Sequence, residues 1–125
     1  MVRHLSLIPL LKFLSLTAAL LLLAGCREPD PHIMVTDVTQ AERLSIGKIA
    51  GTGTVKQLRL HIEGQLNGSA QLTVLMEGQP YHVFNLSDAV DLTWSDKWPH
   101  DRARLAYTPG MVTSGSLRIK YRFVD

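Results

Sequence analysis

Beyond residue 44, apolar and polar positions alternate with a period of two over most of the chain, which predicts half-buried β-strands rather than helices. Leu58, Leu60 and Ile62 alternate with Arg59, His61 and Glu63, while Ala70, Leu72, Val74 and Met76 alternate with Gln71, Thr73 and Glu77. Asn67-Gly68, between these two runs, is a hairpin signal. A strict two-residue loop there would set Ile62 opposite Thr73 and place apolar side chains across from polar ones. A three-residue loop, Asn67 to Ser69, or a bulge near Gly64 restores Ile62 opposite Val74. Glu77-Gly78-Gln79-Pro80 reads as the next turn. Further strands follow over Tyr81 to Leu86, over Val90, Leu92 and Trp94, and over Arg104 to Tyr107, with a turn at Thr108-Pro109-Gly110. The final run has the clearest alternation: Leu117, Ile119, Tyr121 and Phe123 point to the core, with Arg118, Lys120 and Arg122 on the other face.

Short strands joined by polar turns, without intervening helices, predict an all-β fold, a small antiparallel β-sandwich or barrel. A single open sheet would leave its apolar face uncovered, so a second sheet or closure is required. Only Val38 to Leu44 shows a weak helical period. The segment from 26 to 44 carries Pro29 and Pro31 and no sustained period, which predicts a tether spanning roughly 20 to 25 Å as a flexible coil. Val35 and Val38 offer a short first strand as the alternative. The domain proper is then expected over 45–125.

Ahead of the tether, Phe13 to Leu23 is apolar apart from Ser15 and Thr17, and Arg3, His4 and Lys12 supply a basic leader. This is the layout of an export signal. A retained transmembrane helix needs about 20 apolar residues, a length reached here only by including Pro9 and Lys12. The run closes on Leu23-Ala24-Gly25-Cys26, which resembles the lipobox of bacterial lipoproteins at each of its positions. Small residues at Ala24 and Gly25 admit the backbone to a protease cleft, and Cys26 brings a soft nucleophile. The resemblance implies that residues 1–25 are a signal peptide cleaved before Cys26. It implies also that the thiol takes a diacylglyceryl group and the new amino group a further acyl chain, palmitate being the usual kind. Two or more chains anchor stably. Arg27 follows the cysteine where Asp commonly marks inner-membrane retention, so the resemblance points to the outer membrane, facing the periplasm.

Composition narrows the rest. Cys26 is the only cysteine, so no disulfide staples the domain even though an exported chain is free to use them. The formal charge of +2 is carried by the leader, because Arg3 and Lys12 lie there and the remaining chain balances its basic and acidic residues. A nucleic-acid-binding surface is therefore not expected.

Two constellations stand out as ligand-binding candidates. Trp94 and Trp98, flanked by Asp96, Lys97 and Asp101, have the composition of a sugar platform, although Trp94 closing the core and Trp98 packing a loop is the plainer reading. Arg118, Lys120 and Arg122 form a comb at roughly 7 Å intervals, suited to phosphate groups or an acidic partner and equally to solubilising a sheet face. Asp88, Asp91, Asp96 and Asp101 follow no calcium-loop pattern, and His32, His61, His82 and His100 lack zinc-ligand spacing. No metal or other cofactor is expected. No nucleophile elbow or phosphate cradle is present, so the expectation is a non-enzymatic, lipid-anchored envelope protein. Its β-domain would act as an interaction or scaffolding module, with binding of an envelope saccharide or lipopolysaccharide as the alternative.

Overall fold

The computed structural model describes residues 29–49, 51 and 53–125. The lipobox, the leader and Cys26 lie outside the described residues. Six antiparallel strands, β1 (His32–Met34), β2 (Glu42–Gly47), β3 (Gln57–Met76), β4 (Gln79–Lys97), β5 (Arg102–Pro109) and β6 (Ser114–Val124), form one sheet in which β3 is central. The all-β expectation holds, with a connectivity that differs from the one the turn signals predict.

Asn67-Gly68 makes no hairpin. The two alternating runs around it are the halves of a single strand, β3, which pairs along its length with β4. On its other edge the first half of β3 pairs with β6 and the second half with β5. Ile62 consequently faces Ile119 and Leu92, and never Val74. The physical reason is a bend rather than a reversal. The β3–β4 register shifts between Gln65 and Ser69, with Gly64 and Gly68 at positive φ on one strand and Asp88 at positive φ on the other. Bulges of this kind bend a ribbon and increase its twist without ending it. The hairpin itself turns at Glu77-Gly78, both with positive φ, as a two-residue type I′ turn demands.

The bend doubles the ribbon back on itself. His82 and Trp94 belong to the same strand and would stand roughly 40 Å apart if it were straight, yet their rings stack at 5.4 Å. Two four-stranded halves therefore face one another, β1–β6–β3–β4 and β2–β5–β3–β4, each using one half of the ribbon. The strands predicted over Tyr81 to Leu86 and over Val90 to Trp94 are the two halves of β4.

One contiguous core fills the space between the halves. Leu58, Leu60, Ile62, Leu66, Leu72 and Val74 of β3 meet Leu105 and Tyr107 of β5 and Leu117 and Ile119 of β6. Inward residues of β3 keep even numbers on both sides of the bend, so its face never flips. Tyr107 donates its hydroxyl to the carbonyl of Val38 at 2.6 Å, tying the chain before β2 into the core. Tyr121 and Phe123, expected in the core with Leu117 and Ile119, are only partly buried against it. They sit where β6 runs out beside the three-residue β1, which covers them incompletely.

The segment expected as a tether belongs in part to the fold. Within 26–44, β1 pairs with β6, Val35 and Val38 are buried, and β2 begins at Glu42. The weak helical period over Val38 to Leu44 yields a turn and the start of β2. No helix among the described residues is long and apolar enough to cross a membrane.

Candidate functional site

Strand β4 is the feature that sets this molecule apart from a closed barrel. It is hydrogen-bonded on one side, to β3, and its other edge has no strand partner among the described residues. It also carries three of the six large apolar side chains that are exposed among the described residues: Tyr81, Val83 and Leu92, at 41%, 44% and 39%. Val83 lies on the outer face opposite Thr73, whereas Leu92 lies on the inner face opposite Ile62, exposed because no strand beyond β4 covers it.

A second bulge shapes the start of this edge. The register shifts between Val74 and Leu75, which pair with His82 and Pro80, so that Tyr81 has no counterpart on β3. Tyr81 and His82 can thus turn toward the same side. Tyr81 meets Trp94 and Trp98 edge-on, at 6.4 and 5.7 Å, while Phe84 stands at 5.9 Å from Trp94. The Tyr81 hydroxyl donates to Asp96 at 2.9 Å. That bond holds the Asp96 carboxyl below the usual range, helped by the Lys97 backbone N–H, and Asp96 in turn pushes the phenol upward.

Trp94 and Trp98 do not form a shared platform, and Trp98 packs as the plainer of the two sequence readings has it. Trp98 is 1% exposed and donates its indole N–H to the carbonyl of Arg102 at 3.0 Å, closing one end of the molecule. Trp94 remains partly exposed, with the His82 ring stacked on it. Of that constellation Trp94 and Asp96 are partly exposed and Lys97 and Asp101 exposed, while Trp98 is buried.

The comb of Arg118, Lys120 and Arg122 does occupy one outer face, as its alternation requires. It is not a free cationic surface. Arg118 and Lys120 lie 3.9 and 3.2 Å from Glu63, and Arg122 lies 2.6 Å from Asp30. His61 contacts Asp91 at 2.6 Å on the same face. Glu63 of the neighbouring strand β3 and Asp30 of the segment before β1 thus supply the counter-charges, which sequence alternation along β6 alone does not reveal. No group of three His, Cys, Asp or Glu able to hold a metal occurs among the described residues.

No family model matches the chain. No curated protein matches it either. Among solved structures it is similar to a de novo designed double-stranded β-helix determined by solution NMR, at 12% identity over 76% of this chain and 100% of that one, with a TM-score of 0.42. It is similar also to a structure described as "CBM4 structure and function", at 13% identity over 75% of this chain and 68% of that one, with a TM-score of 0.39. At that identity and TM-score they say nothing of what this chain binds.

Proposed function

We propose that this is a lipid-anchored cell-envelope protein, held in the outer membrane by acylated Cys26. In this reading its periplasm-facing β-domain is a non-catalytic module that binds an extended segment of an envelope protein along β4. The observation that carries the binding half is the free edge of β4 with its exposed apolar residues. An edge strand offers a row of main-chain donors and acceptors, and folded proteins usually blunt such an edge with charge, proline or bulges. Here Pro80, the Tyr81 bulge and Asp88 guard the two ends of one stretch. Between them His82–Ser87 contains no Asp, Glu, Lys, Arg or Pro. An added strand would gain main-chain hydrogen bonds there and cover Val83, which is the mode of recognition that reads extended peptides. The anchor supports the same reading, because confinement to a surface raises the effective concentration of a weak partner.

Saccharide binding keeps one supporting observation, the partly exposed Trp94 beside Tyr81 and Asp96. The burial of Trp98 leaves that alternative with a single indole, and the edge reading is preferred. Photo-crosslinking in intact cells separates the two. A crosslinker at Val83 should give one discrete protein adduct that disappears when Cys26→Ala abolishes palmitate labelling, and a crosslinker at Lys120 should give none. Palmitate incorporated into the Cys26→Ala chain would refute the anchor. The same absence of adducts from Val83 and Lys120, with Trp94 emission shifting on addition of envelope glycans, would favour the saccharide.

A further inference from the structure

The two outer faces of the molecule treat their cations differently. On the β6 face each member of the comb has a carboxylate neighbour. On the opposite outer face, Arg43 of β2 and Arg102 and Arg104 of β5 sit across from Ala106, Gly47, Ser45 and Leu75, none of them acidic. No carboxylate among the described residues lies within ion-pair distance of these three arginines. Arginine stays charged at any ordinary pH, so these guanidinium groups carry charge that no ion pair among the described residues takes up.

Arg102 and Arg104 also border a groove of about 460 Å³ between the β3–β4 turn and the start of β5. Its apolar lining comes from Leu75, Met76, Trp98 and Ala103. Glu77 is the one acidic residue in the lining. The volume falls within the roughly 300 to 1,000 Å³ of small-molecule sites, which pair an apolar wall with a few placed polar groups. Guanidinium forks match phosphate oxygens in bidentate geometry. The groove's place in the fold narrows the ligand further. Gly47, the cross-strand partner of Arg102, lines a neighbouring groove together with Pro29 and His32. The arginines therefore stand at the end of the molecule that holds Pro29, and the choice of a lipid ligand rests on the anchor proposed at Cys26.

We propose that this groove binds a phospholipid-type amphiphile, with Arg102 and Arg104 holding its phosphate and the partly exposed Leu75 and Met76 receiving its acyl portion, while buried Trp98 floors the groove and reports on it. The site is separate from the β4 edge and stands or falls independently of it.

The test uses the full chain in a non-ionic detergent, in a Trp94→Phe background so that Trp98 is the sole indole emitter. Octyl phosphate is the probe, octyl glucoside the neutral control and inorganic phosphate the headgroup control. Octyl phosphate should shift the emission saturably, and Arg102→Gln with Arg104→Gln should weaken its binding by at least about tenfold, the loss expected for charge-assisted hydrogen bonds. Phosphorus NMR line-broadening of the probe by the unsubstituted chain gives a second readout that needs no variant. An equal response to octyl glucoside, or an unchanged affinity in the double variant, would overturn the proposal. Saturation by inorganic phosphate at the same concentration would overturn the lipid assignment, since the apolar wall would then contribute nothing.

Discussion

The Tyr81–Asp96 contact links the chemistry of two side chains to the closure of the ribbon, because the residues come from opposite halves of β4. Asp96 titrates below its ordinary value, so its contribution to stability is present above the unfolded carboxylate pKa and is lost as pH falls through the folded one. Tyr81 titrates above its ordinary value, so its contribution is present below the unfolded phenol pKa and is lost as pH rises through the folded one. Tyr81→Phe should therefore lower the melting temperature most between those two limits. It should flatten the alkaline limb and shrink the acid limb, where the Lys97 N–H still favours the Asp96 carboxylate. A profile parallel to that of the parent chain would show the bond to be energetically idle. On β6 the two faces separate by magnitude: Ile119, fully buried, should cost about 2 to 5 kcal/mol as Ala in denaturant unfolding. Lys120→Ala removes a partly exposed pair with Glu63 and should cost at most about 1 kcal/mol. Strand-face assignments of this kind were fully legible in sequence, because alternation fixes which side of a strand is apolar. Partner charges were not, because Glu63 on β3 and Asp30 before β1 are far from the comb in the chain.

At the scale of elements, glycine decides where the ribbon bends. A Cβ at Gly64 would run into the backbone carbonyl of Ser116, and one at Gly115 into that of Gln65, so β3 and β6 approach through a reciprocal glycine contact. Gly78 also has a positive φ, but a Cβ there meets nothing. Gly64→Ala should thus exceed the cost of Gly78→Ala, which is limited to the left-handed penalty of about 1 to 2 kcal/mol. Equal effects in chemical denaturation would remove the packing argument and leave conformation alone. The same glycines explain why Asn67-Gly68 misleads: its local chemistry suits a tight reversal, but β6 and β5 each pair with one flank of it and hold the strand running on. Pairing between distant segments outweighs the turn preference of two residues. The Glu77-Gly78 turn has no such competitor, and there the local signal and the fold agree.

For the whole molecule, the bent ribbon yields two dissimilar flanks. β1 and β2 are short edges of three and six residues, while β4 runs for nineteen with one side unpaired. Trp94 and Asp96 were findable in sequence as binding candidates, with core closure the plainer reading of Trp94, yet the edge that leaves them partly exposed was not legible, since a strand's position at the rim depends on the order of all six. The reading of this domain as a binding module rests on that rim being occupied in the envelope. Amide hydrogen exchange of the full chain, compared between isolated envelopes and the purified protein in detergent, tests it most directly. Amides of residues 82–87 should exchange slowly in envelopes and markedly faster after purification, with the core strand β3 protected in both. Equal exchange of residues 82–87 in the two preparations would contradict that reading.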